Sequence, residues 1–61
     1  MSVTLKAARV NAGLTQADAA SQLGVSVQTL VNYEKNRKSP TILTAKKIAL
    51  LYGVSIEDLF F

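Results

Sequence analysis

The sequence contains no cysteine and no histidine among its 61 residues. Neither a disulfide nor a thiolate or imidazole metal site can therefore staple the chain. At this length the absence matters, because folding buries only about 60% of the surface that the unfolded chain exposes. Packing or a second subunit must supply the stability. Acids are scarce too: Asp18, Glu34, Glu57 and Asp58 are the only four, and Asp18 and Asp58 stand where helix caps are expected. With no nucleophile–base pair and no metal cluster in view, the sequence does not read as an enzyme and calls for no cofactor.

Long hydrophobic runs are also missing. The longest is IALLY at 48–52, far short of the eighteen or so residues that suggest a membrane span. MSVTLKAARV at the start has no continuous apolar core of the signal-peptide kind. The reading is one domain, residues 1–61, soluble and cytoplasmic, with no membrane partner.

What is present points to a folded, basic domain. Hydrophobic residues make up 49% of the chain and charged residues 18%, a balance typical of a packed domain rather than a disordered tail. The net charge is +3, but its placement says more. Lys35, Arg37, Lys38, Lys46 and Lys47 fall close together, and no acid lies between Glu34 and Glu57. Such an imbalance favours a polyanionic partner, and nucleic acid before membrane, since no long basic amphipathic helix accompanies it. A merely solvated surface would carry the same charges. No aromatic platform interleaves with the basic residues, which argues against RNA.

Helix punctuation is regular: an N-cap residue, a helical stretch, then Gly or Asn. Ser2 or Thr4 opens the first helix and Gly13 closes it. Thr15 caps the second, with Asp18 completing a capping box, and Gly24 ends it. Ser26 caps the third, which runs to about Lys35 and stops at Asn36. Pro40 keeps NRKSPT at 36–41 as a loop. Thr41 caps a fourth helix ending at Tyr52 and Gly53, and Ser55 with Asp58 caps a short fifth. No useful length alternates as a half-buried strand does, so the fold class is all-α with five short helices. Helical spacing proposes a core of Leu5, Ala8, Ala12, Ala17, Ala20, Leu23, Leu30, Tyr33, Ile42, Ala45, Ile48, Ala49, Tyr52, Ile56, Leu59 and Phe60.

Two stretches are nearly the same: LGVSVQTL at 23–30 and YGVSIEDL at 52–59. In each, Gly ends a helix, Ser caps the next, and a Val–Leu pair forms a hydrophobic staple, Val25 with Leu30 and Val54 with Leu59. They differ in the first turn that follows. Val27, Gln28 and Thr29 leave a helix N-terminus open to an anion, whereas Glu57 and Asp58 repel one.

Residues 15–36, a helix at about 16–23, a tight turn at Gly24-Val25-Ser26 and a polar-fronted helix, resemble the helix-turn-helix of the phage Cro and repressor class, the XRE-like family. The resemblance covers nearly the whole chain. LKAARVNAGLTQADAASQLGVSVQTLVNYEKN is similar to the family's first three helices, and SPTILTAKKIALLYGVSIEDLF to the two that complete its lambda-repressor-like domain. It implies a transcriptional regulator of double-stranded DNA. Gln28, Thr29 and Asn32 would face base edges in the major groove, and Val27 would meet backbone or a thymine methyl. Gln16, Asn36, Arg37 and Lys38 would hold phosphates, with the loop's amides contributing. Arg9 and Glu34 match a family ion pair tying the first helix to the end of the third. Gln28 and Asn32 also suit that role chemically, being carboxamides one helical turn apart that can pair with adenine N6 and N7.

Three positions depart from the family pattern. Ala19 stands where a larger aliphatic is usual, Asn36 replaces Gly, and the first turn of the third helix lacks Arg or Lys. One reading helix specifies few base pairs, so a homodimer on a palindromic operator is expected. Leu43, Leu50 and Leu51 are apolar where the family is often polar, and Phe61 adds an aromatic at the end; they either enlarge the core or form a dimer surface. The alternative function is an antitoxin-like or adaptor module that binds a protein partner through the apolar fourth helix.

Overall fold

A computed structural model describes residues 3–60 of the chain. Four α-helices follow in order: α1 (Leu5–Asn11), α2 (Gln16–Leu23), α3 (Val27–Glu34) and α4 (Ile42–Tyr52). A 3-10 turn at Ile56–Asp58 and two very short strands, β1 (Val3–Thr4) and β2 (Leu59–Phe60), complete the fold. No helix among the described residues is long and apolar enough to cross a membrane.

Every α-helix starts on a side-chain hydroxyl. Thr4 Oγ1 accepts the Ala7 amide at 3.1 Å, Ser26 Oγ the Thr29 amide at 3.1 Å and Thr41 Oγ1 the Thr44 amide at 3.2 Å. At α2 the box is reciprocal, since Thr15 Oγ1 accepts the Asp18 amide and Asp18 accepts the Thr15 amide. Each cap satisfies an amide that the helix itself leaves unpaired, at about 1 kcal/mol apiece. Ser2, the other cap expected for α1, lies outside the described residues.

The helices end on one repeated joint. At the end of α2, Gly24 takes a left-handed backbone with φ 74°. Its amide donates to the Ser21 carbonyl, and the Val25 amide donates to Ala20 at 3.0 Å. The same pair of bonds closes α1 at Gly13–Leu14, α3 at Asn36–Arg37 and α4 at Gly53–Val54. After the glycines the next residue is apolar and packs on the core, as Leu14, Val25 and Val54 do, which is the usual companion of this turn. After Asn36, at φ 59°, the next residue is Arg37, and it is exposed. The joint that follows α3 is thus built to place a cation outside rather than a hydrocarbon inside.

Among the described residues, Leu30 and Ile48 are the largest fully buried side chains. Around them lie Leu5, Ala8, Ala19, Ala20, Leu23, Tyr33, Ala49, Tyr52 and Leu59. The alanines let α2 approach both α3 and α4. Ala19, short for its position, is wholly buried at 0% exposure. Ala17 is exposed instead, because Leu23 sets the helical phase through Ala20, Ala19 and the half-buried Gln16. Ala12 lies beyond the last residue of α1 and is exposed. Ile42 opens α4 off its buried face and is 71% exposed. The side chain of Phe60, also expected in the core, lies outside the described residues.

The expected fifth helix is the 3-10 turn. Ser55 makes no side-chain cap bond, because the Asp58 amide that a capping box would use donates to the Ser55 carbonyl at 3.0 Å. Past that turn the chain extends, and Leu59 and Phe60 pair in parallel with Val3 and Thr4. Two residues are too few for alternation to register in a sequence, so the sequence alone does not signal this pairing. It ties the start of the domain to its end.

Candidate nucleic-acid interface

The first turn of α3 faces outward. Val27 is 44% exposed, Gln28 is exposed, and Thr29 and Asn32 are half-buried. The Thr29 hydroxyl accepts from Ser26 Oγ at 2.9 Å, which leaves its own hydrogen to donate. Gln28 Nε2 donates to Asn32 Oδ1 at 3.1 Å. No acid occupies that turn, and its cap leaves the helix end open to an anion.

Behind α3 stands a buried network. Arg9 Nε donates to Glu34 Oε2 at 2.7 Å, with side-chain exposures of 9% and 5%. Arg9 Nη1 donates to the Leu14 carbonyl at 2.8 Å, so one guanidinium joins α1, the turn before α2 and the end of α3. Gln16 Nε2 donates to Glu34 Oε1 at 3.2 Å, which joins α2 to the same carboxylate. Eighteen residues separate Gln16 from Glu34, and nothing in the sequence signals that link. One Nε2 hydrogen of Gln16 remains for an outside acceptor.

Tyr52, on α4, stands near this network without bonding to it. Its pKa is pushed up to about 12, first by burial and then by the Glu34 carboxylate, with Arg9 acting the other way. Among the described residues its hydroxyl has no hydrogen-bond partner.

Asn36, Arg37 and Lys38 are exposed just past α3. The Asn36 and Arg37 amides, however, are committed to the Tyr33 and Asn32 carbonyls. At those two positions the loop therefore offers side chains to a phosphate and not the amides that the resemblance suggested.

The face of α4 turned from the core carries Leu43 at 66% and Leu50 at 85% exposure, with Ile42 beside them. Lys46 and Lys47 are exposed on that face as well. Leu51 does not belong there. One position on from Leu50 it is turned about 100° around the helix, and it packs half-buried on the core. Phe61 lies outside the described residues. Among the described residues no three His, Cys, Asp or Glu side chains gather to hold a metal.

Two helices joined by a tight left-handed turn, the second with an exposed and acid-free first turn, define a helix-turn-helix domain. The family model described as Helix-turn-helix matches residues 5–59, and the chain belongs to that family, of the XRE type. It is 48% identical over 56 residues to an uncharacterized HTH-type transcriptional regulator of Methanocaldococcus jannaschii, covering 92% of this chain and 85% of that one. It is 41% identical to RstR, the cryptic phage CTXphi transcriptional repressor of Vibrio cholerae, over 84% of this chain and 46% of RstR. With ImmR, an HTH-type transcriptional regulator of Bacillus subtilis, identity is 42% over 90% of this chain and 43% of ImmR. The chain thus spans less than half the length of the latter two. No solved structure matches significantly.

Proposed function

We propose that this chain is a sequence-specific regulator that binds double-stranded DNA through α3, as a homodimer on a palindromic operator, and represses transcription. The observation that carries the reading is the exposed, acid-free first turn of α3 held on the buried Arg9–Glu34 pair. Val27, Gln28, Thr29 and Asn32 form the surface that meets base edges. Gln16 and the side chains of Asn36, Arg37 and Lys38 meet phosphates. Gln16 reaches its phosphate with the Nε2 hydrogen that Glu34 does not use.

A single α3 reads only a few base pairs, so two copies read two half-sites about 34–36 Å apart. Leu43, Leu50 and Ile42 are the surface proposed for their contact. Repression follows from the likeness to RstR, named a transcriptional repressor, with the bound dimer excluding polymerase from a promoter in the cytoplasm. Selection of bound duplexes from a random library tests the reading. An enriched palindrome supports it, and no enrichment overturns it.

The exposed Ile42, Leu43 and Leu50 favour a second reading, an adaptor or antitoxin-like module that binds a protein through α4. Changing Leu43 and Leu50 to Gln separates the two. Loss of a heterologous complex with operator affinity intact would favour the adaptor.

A further inference from the structure

Gln28 and Asn32 sit one turn apart on the exposed side of α3, and they are bonded to each other. Gln28 is exposed and Asn32 is half-buried behind it. Side chains on a helix lean toward its N-terminus, so the short Asn32 side chain reaches back over the turn of Gln28. Its own backbone is fixed, because the Asn32 carbonyl accepts the Arg37 amide at 2.9 Å in the joint that ends α3. Asn32 is therefore the anchored member of the pair and Gln28 the projecting one.

The bond to Asn32 restrains the Gln28 amide and leaves part of it free. A primary amide has one N–H beside its oxygen and one directed back along its stem. With one N–H given to Asn32 Oδ1, Gln28 keeps Oε1 and its other N–H to present as one edge. That edge is complementary to adenine, whose N6 donates and whose N7 accepts, and it is wrong for guanine, whose O6 and N7 both accept.

We propose that Asn32 is a positioning residue that fixes the amide of Gln28 for one adenine, so that the two side chains specify a single base pair rather than one each. The proposal rests on the DNA-binding reading above. It takes specificity at this site from a bond already made before DNA arrives.

The test measures binding of the whole chain to the selected palindrome with all four bases placed in turn at each half-site position. Wild type, Gln28→Ala, Asn32→Ala, the double variant and Asn32→Asp are compared. Wild type is expected to prefer A·T at one position by about tenfold or more. Gln28→Ala and Asn32→Ala should each flatten that same position, and the double variant should flatten it no further than Gln28→Ala alone. Asn32→Asp still accepts the Gln28 N–H, so it should keep the adenine preference while weakening binding to every duplex. If Asn32→Ala flattens a different position, or none, the brace is overturned and the DNA-binding reading stands. A shared position that prefers guanine overturns the assignment to adenine. Binding without any preference overturns both readings.

Discussion

Arg9 and Glu34 lie 25 residues apart in sequence and form a buried ion pair whose Nε–Oε2 distance is 2.7 Å. Because Glu34 is the last residue of α3, the pair sets where α3 sits relative to α1. Removing one partner leaves a buried charge uncompensated, at a cost of roughly 3–5 kcal/mol. That is a large share of what so small a domain holds. Arg9→Ala and Glu34→Ala should each lower the urea midpoint steeply. The double variant should lose clearly less than the sum, and additive losses would show that the two groups act separately.

Tyr52 gives a signature at alkaline pH. Its pKa rises from 10.0 to about 12, burial being the larger cause. The folded state thus favours the neutral phenol. The resulting stability is fully present below pH 10 and is lost as pH rises from there through about 12. Tyr52→Phe should remove this loss, seen as a difference between the two stability–pH curves in that window. At neutral pH the variant should be at least as stable as wild type, since the hydroxyl it deletes is buried with no partner among the described residues. A clearly less stable Tyr52→Phe would mean that the hydroxyl is bonded.

Thr15 and Ser55 occupy matching places in two sequence patterns of the same kind, but only Thr15 makes the bond. Thr15→Ala should cost about 1 kcal/mol by thermal denaturation. Ser55→Ala should cost almost nothing, because no side-chain cap exists there to lose. Equal costs would restore the capping box at Ser55.

The contrast shows which features the sequence makes legible. Caps and joints are decided within four or five residues, so Thr4, Thr15, Ser26, Thr41, Gly24 and Asn36 could each be placed from their neighbours. The phase of α2 was harder, since Ala17 and Ala19 differ only in which side the helix turns to Leu30 and Ile48. Val3 pairing with Leu59 depends on the closed fold, as does Gln16 meeting Glu34. Gln28 and Asn32 were visible as a pair at helical spacing, but the bond between them was not.

Arg37 fills a place that is apolar in the three other joints, and its side chain is exposed. Arg37→Ala should leave the melting temperature nearly unchanged. It should weaken all duplexes alike and reduce the slope of log affinity against log salt by about 1 for each copy bound. A changed base preference would make Arg37 a reader.

The most direct measurement replaces the first turn of α3 with acids, as Gln28→Glu together with Thr29→Asp, and follows stability and operator binding in the same variant. Acids in the first turn of a helix favour its dipole, so denaturation should show a fold at least as stable as wild type. Affinity for the selected palindrome should fall to the nonspecific level, a loss of about 10³-fold or more. A folded variant that kept its operator affinity would contradict α3 as the element that reads DNA.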